Sequence, residues 1–206
     1  MKITPLVHVV DDDGSLRTAL IRLLSAAGFE VRGYASTGDF LLQPAPDRPG
    51  CIVLDIRMPG PSGLDLQEAL RRQDVLLPVV FLTGHADVAS SVKAMKAGAV
   101  DFLTKPVERD TLLEAIRRAL EIDAGHRATR EENGRLRARF ASLTPREREV
   151  FDRIVSGKLN KQIAGEMGIA ERTVKAERAA VMTKLGAGSP AELGRLGERL
   201  GRLSAG

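Results

Sequence analysis

The stretch "CIVLDIRMPG", Cys51 to Gly60, decides the fold. Cys51 to Leu54 is an unbroken apolar run of strand length, and Asp55 follows at once. Met58-Pro59-Gly60 then ends any regular element. A short apolar run bounded by turn residues reads as a buried strand. Burying an unpaired carboxylate is costly, so Asp55 belongs at an exposed strand end. Many such aspartates only open a turn. What surrounds Asp55 decides between a turn and a site.

Working outward, the first 120 residues alternate strand and helix patterns. Strands are expected at 6–10, 30–34, 51–55, 78–84 and 100–106, and helices at 15–28, 37–43, 63–73, 87–99 and 108–121. Five β/α units predict a doubly wound, five-stranded parallel sheet with helices on both faces. In such sheets function gathers at the carboxyl ends of the strands. There stand Asp11, Asp12 and Asp13, then Asp55, then Thr83-Gly84, then Thr104-Lys105-Pro106. The sheet would carry all of them to one rim, and Asp55 would face a shared polar pocket.

Clustered carboxylates repel one another unless a cation joins them, and all-oxygen ligands favour Mg²⁺. A carboxylate beside such an ion is a nucleophile toward phosphorus. Thr83 would hydrogen-bond one phosphoryl oxygen and Lys105 would neutralise another, which is most of what phosphoryl transfer needs. Lys105-Pro106 is a candidate cis peptide, since X–Pro bonds alone populate that form.

The segments "VHVVDDDGSLRTAL", "CIVLDIRMPGPSGLDL", "VVFLTGHADV" and "MKAGAVDFLTKP" together resemble a two-component response-regulator receiver domain of the NarL/FixJ family. The resemblance covers residues 4–121 and implies a flavodoxin-like fold. It implies Asp55 as phosphoacceptor, and Asp11, Asp12 and Asp55 with the backbone carbonyl of Arg57 as Mg²⁺ ligands. It also implies Thr83 and Lys105 as the switch hydroxyl and phosphate-binding lysine, and Phe102 as the aromatic that reports the switch. Asp13 would be an exposed loop acid, and His85 a loop residue beside the site. One rival reads Asp11 as nucleophile and Asp13 as acid of a haloacid-dehalogenase-type phosphatase. It leaves Asp55 without a role and lacks a second acidic pair downstream. A further alternative is a phosphorylation-independent regulator with a vestigial receiver.

The net charge of +4 hides a split. Residues 1–120 carry 14 Lys/Arg and 15 Asp/Glu, whereas residues 121–206 carry 17 and 12. The basic half is the one to suspect of touching nucleic acid. Residues 122–141 are charged and sparsely apolar, either continuing the fifth helix or forming a connector; Leu136 and Phe140 hint at a last packed turn. Order resumes at 142–206. Thr144, Pro145 and Glu147 form a capping-box pattern, Asn160 is a candidate cap for a second helix, and Gly168 allows a tight turn before a third. Two short helices joined by a glycine-containing turn match helix-turn-helix geometry. "LTPREREVF" and "NKQIAGEMGIAERTVKAERAAVMTKL" resemble a LuxR-type DNA-binding domain.

On the helical wheel Val174, Val181, Met182 and Leu185 face the bundle. Arg172, Lys175, Ala176, Ala179 and Thr183 then face outward toward a major groove. Lys161, Thr173, Arg178 and Lys184 suit phosphates, which fix register and not sequence. Glu177 departs from the family pattern at the edge of the buried face, and altered site preference or weaker affinity is expected. Gly194, Gly197 and Gly201 make the last helix unusual.

One cysteine excludes an intrachain disulfide, and Cys51 reads as a small core residue. The N-terminal residues look like neither a signal peptide nor a membrane span, so a cytoplasmic protein is expected. The two resemblances imply a sensor histidine kinase, double-stranded promoter DNA and RNA polymerase as partners, with a homodimer on phosphorylation. No enzymatic activity and no membrane role are expected.

Overall fold

The computed structural model describes residues 4–43, 48–84 and 87–204, with side chains through residue 201. His85 lies outside the described residues. The chain forms two compact units, residues 1–128 and 129–206. In the first, strands β1 (Leu6–Val10), β2 (Glu30–Tyr34), β3 (Gly50–Leu54), β4 (Val79–Thr83) and β5 (Asp101–Thr104) alternate with helices. These are α1 (Gly14–Ala26), α2 (Thr37–Leu41), α3 (Gly63–Arg72), α4 (Val88–Lys96) and α5 (Arg109–Ala141). The sheet is parallel, in the order β2-β1-β3-β4-β5. Strand order reverses between β1 and β3, so the crevice at their carboxyl ends is where such a sheet binds ligands.

Strand periodicity divides the core in two. Val7, Val9, Cys51, Val53, Val80 and Leu82 pack under Leu20 and Leu24 of α1 and Leu112 and Ile116 of α5. Val10, Ile52, Leu54 and Phe81 pack under Leu66 and Leu70 of α3 and Ala94 of α4. Cys51 is fully buried, and burial first, with the nearby Asp123 charge, pushes its thiol up to about 12. It is a core residue with no reactive thiolate.

His8 is buried in β1, with Nδ1 3.0 Å from the Tyr34 hydroxyl and its ring edge-on to Phe40. Burial, with Arg32 and Arg48 nearby, lowers its pKa to about 4. The native state therefore keeps His8 neutral where the unfolded chain takes a proton, starting near pH 6.5. Stability is unaffected above that value and falls as the pH drops toward 4, by about 3 kcal/mol in all. Urea unfolding of the wild type and His8→Phe at pH 7 and pH 5 checks this. The variant loses less stability on acidification, and parallel losses would refute it.

Residues 122–141 are helix, continuous with α5. Asp123 on it is buried, accepting from the Gly50 backbone N–H at 3.0 Å and from Arg127 Nε at 2.8 Å.

The second unit holds α6 (Pro145–Val155), α7 (Asn160–Met167), α8 (Glu171–Leu185) and α9 (Pro190–Ser204). The Thr144 and Glu147 capping box opens α6 with Pro145 as its first residue. Asn160 does not cap α7. Leu159 holds that position, and Asn160 has entered the helix, its Oδ1 accepting from Arg178 Nη1 at 3.0 Å. Gly168 (φ 63°) takes the left-handed conformation that turns α7 into α8, as glycine does at low cost. The core joins Val150, Ile154, Ile163, Val174, Val181, Leu185 and Leu193 with Leu136 of α5. Phe140 meets Phe151 edge-on at 5.2 Å. One unusual glycine of α9 has a packing reason: a Cβ on Gly197 would lie 2.8 Å from both methyls of Val155. Among the described residues, no helix is long and apolar enough to cross a membrane.

Candidate functional sites

The carboxyl ends of β1, β3, β4 and β5 bring Asp11, Asp12, Asp55, Thr83 and Lys105 to one rim. Asp55 follows β3 directly, and its backbone N–H bonds to Val10 O at 2.9 Å, which sets β3 beside β1 at this level. Asp11 and Asp55 are buried, while Asp12 is exposed. Lys105 Nζ joins the buried pair, 2.7 Å from Asp11 Oδ2 and 2.8 Å from Asp55 Oδ2. The Lys105 backbone N–H reaches Thr83 O at 2.8 Å, and the Lys105–Pro106 peptide is cis. Thr83 is buried, with its register partner Thr104 beside it on β5. Phe102, one residue before Leu103, is half-buried with its ring centroid 6.3 Å from that of Phe81. Arg57 is exposed and its N–H points at Asp55 Oδ1, 3.3 Å away.

The electrostatics of this rim follow from crowding. Burial raises the Asp11 pKa, and the nearby Asp55 charge adds to it, against the pull of Lys105. For Lys105, burial pulls the ammonium down, but its bonds to Asp11 and Asp55 outweigh that and hold it above its ordinary value. Carboxylate oxygens of Asp11, Asp12 and Asp55 lie within 4.8 Å of one another. This donor set is all oxygen, with one acid open to solvent, and is compatible with a hydrated Mg²⁺.

Two neighbours have roles that sequence reasoning missed. Asp13 is more than a loop acid: it caps α1, accepting from the N–H groups of Ser15 at 2.8 Å and Leu16 at 3.1 Å. These bonds lower its pKa. Arg17 Nη1 donates to the Asp11 carbonyl at 2.5 Å. The Asp-x-x preceding an apolar period was the available signal for the cap; nothing local marked Arg17.

In the second unit, α8 presents the expected face. Arg172, Lys175, Ala176, Ala179 and Thr183 lie outside the bundle core, whereas Val174, Val181 and Leu185 are buried in it. Lys161 is exposed; Thr173 and Arg178 are half-buried. Lys184, expected to suit a phosphate, has an acid partner within the unit. Its ammonium lies 2.7 Å from Glu147 Oε2, the buried acid of the α6 capping box, and is engaged in holding α8 to α6. Glu177 has a partner too: Arg146 Nε lies 3.3 Å from its Oε1, so its charge is answered within the unit.

Comparisons with known proteins agree with both halves. The response regulator receiver domain family matches residues 7–117, and the family of bacterial regulatory proteins, luxR family, matches residues 141–196. Nodulation protein W of Bradyrhizobium diazoefficiens is 44% identical over 196 residues, 95% of this chain and 86% of that protein. The transcriptional regulatory protein FixJ of the same organism is 42% identical over 201 residues, covering 96% of this chain and 97% of FixJ. Among solved structures, the response regulator StyR is 48% identical, with a TM-score of 0.83, covering 96% of this chain and all of that one. The chain therefore belongs to the response-regulator family, a receiver domain joined to a LuxR-type DNA-binding domain, and is a phosphorylation-dependent transcription regulator.

Proposed function

We propose that Asp55 accepts a phosphoryl group from a sensor histidine kinase and that this controls binding of α8 to promoter DNA. The observation that carries it is the Lys105 ammonium bridging Asp11 and Asp55 at the strand-order switch point. An Asp55 carboxylate oxygen forms the new O–P bond as the N–P bond of the kinase phosphohistidine breaks. Lys105 is already within reach of the oxygens this adds, and Thr83, at the next strand end, takes another. Phe102 then follows Thr83 on the adjacent strand. Asp11, Asp12 and Asp55, with the Arg57 carbonyl, would hold Mg²⁺, which when bound supplies charge neutralisation at the phosphoryl oxygens. A homodimer would place two copies of α8 on paired half-sites and RNA polymerase would read the result.

In this reading Arg172, Lys175, Ala176, Ala179 and Thr183 face base edges, and Lys161, Thr173 and Arg178 face phosphates. The test is DNA binding by the full chain on a promoter fragment, with and without acetyl phosphate and Mg²⁺. Tighter binding only with both supports the reading; binding indifferent to them favours a vestigial receiver.

Two variants sharpen this. Lys175→Ala weakens DNA binding by about 1–3 kcal/mol and, if the lysine meets phosphate, lowers the salt slope by about 1. Lys184→Ala lowers that slope by less, because Glu147 holds its ammonium at 2.7 Å whereas Glu171 lies 3.6 Å from that of Lys175; a slope reduced equally in both would count against that difference. Separately, Lys105→Ala strips the counter-charge from two buried carboxylates and lowers stability by about 3 kcal/mol without Mg²⁺. Added Mg²⁺ raises the variant's melting temperature more than the wild type's, since the competing ammonium is gone. Equal shifts would count against Mg²⁺ sharing the lysine's position.

A further inference from the structure

Helices α3 and α4 leave a groove of about 510 Å³ that the chemistry at Asp55 does not use. One face of each helix lines it at helical spacing: Leu64, Gln67 and Arg71 on α3, and Val92, Lys93 and Lys96 on α4. Leu64 and Val92 make the groove apolar, and Val92 is exposed. Arg71, Lys93 and Lys96 are also exposed, and none of them joins an ion pair among the described residues. Lys93 acts on Asp65 only through its field. Glu68, the one acid in the wall, is paired with Arg72 at 2.5 Å. The groove is thus an apolar slot with a cationic rim.

Gln67 is the second, independent observation. It is buried, with a relative exposure of 6%. Nε2 makes one long bond, 3.4 Å to the Ala94 carbonyl of α4, and Oε1 has no partner. Exchanging the two atoms would set the amide oxygen against that carbonyl, so the assignment follows from chemistry. A buried acceptor without a donor is costly and needs a reason. Gln67 lines this groove and also the neighbouring pocket beside Leu70 and Val75, and its amide is held by that one long bond alone.

We propose that the α3–α4 groove binds a small amphipathic carboxylate that also carries a hydroxyl or N–H donor. The carboxylate pairs with the Lys93 and Lys96 end, the apolar body lies between Leu64 and Val92, and the donor satisfies Gln67. The volume falls in the range of about 300–1,000 Å³ usual for small-molecule sites. The occupant would sit against α4, the helix that follows the strand ending in Thr83.

Titration calorimetry on the full chain tests this with 4-hydroxybenzoate, benzoate and 4-hydroxybenzyl alcohol. Saturable binding of 4-hydroxybenzoate is expected, about tenfold tighter than either molecule lacking one group. Lys93→Gln with Lys96→Gln weakens both acids about tenfold, and Gln67→Met makes the two acids bind alike. The paired lysine substitutions are at exposed positions and carry the test if Gln67→Met does not fold. No saturable binding, equal affinity for all three probes, or indifference to the lysine substitutions overturns the proposal. So does a concentration-dependent dimer that the lysine substitutions disperse without any acid binding, which would assign the groove to a second copy of the chain.

Discussion

Asp55→Asn takes up no phosphoryl group from acetyl phosphate, whereas the wild-type chain gains one in the presence of Mg²⁺. Intact-mass measurement reads this directly. The substitution keeps shape and keeps an oxygen for the Arg57 N–H at 3.3 Å or for Lys105, so the fold survives. It removes the anionic nucleophile and one of three clustered charges. Loss of uptake is therefore a chemical effect and is essentially complete. The structure also argues against the phosphatase rival. That mechanism needs Asp13 free to deliver a proton. Asp13 is instead engaged in capping α1, its Oδ1 accepting from the N–H groups of Ser15 and Leu16. An adduct that survives Asp55→Asn would reinstate Asp11 as acceptor and sink the proposed role of Asp55.

Much of this was legible in the sequence because the signals were local. Each strand at the rim is a run of apolar residues ending at a polar one, and a parallel sheet must carry such ends to a common edge. The face of α8 followed from helical period alone, since Arg172, Lys175, Ala176, Ala179 and Thr183 occupy the side opposite Val174 and Val181. What escaped reading depends on partners far away in the chain. Asp123 looks like one acid among many in a charged stretch, yet it is buried because the start of β3 offers it an N–H, 73 residues away. Nothing near Lys184 in the sequence announces its ion pair with Glu147, 37 residues earlier. The partner of Glu177, Arg146, lies 31 residues earlier and was equally unmarked. Asn160 failed as a cap because Gln162 serves the backbone N–H of Leu159 at 2.8 Å, so the helix begins one residue earlier than the capping preference suggests.

Gly63→Ala is the second large effect, and it couples packing to chemistry. Glycine in a helix is about 1 kcal/mol worse than alanine, so propensity alone predicts a gain. The geometry reverses the sign. A Cβ on Gly63 would lie 2.1 Å from the Asp55 carbonyl oxygen and 3.0 Å from its carbon. These are backbone atoms, and they cannot rotate away. The Gly63 N–H also bonds to Ile56 O at 3.0 Å, and Ser62 caps the helix just before it, so α3 is docked onto the residues around the phosphoacceptor. Alanine must either lift the start of α3 or push Asp55 off the end of β3. The expected result is a loss of about 3 kcal/mol in urea unfolding, at the upper end for an overpacked site. Phosphoryl uptake falls at least about tenfold, because the Lys105 bridge tolerates little displacement of Asp55. Gly60→Ala is the control. Gly60 has φ 84° but open space around its missing side chain, so alanine costs about 1 kcal/mol of backbone strain and leaves uptake intact. Unimpaired uptake in Gly63→Ala at wild-type stability would show that α3 is not pinned to the Asp55 backbone. Uptake lost with stability retained would locate the damage in Asp55 itself, the strand end having yielded before the helix did.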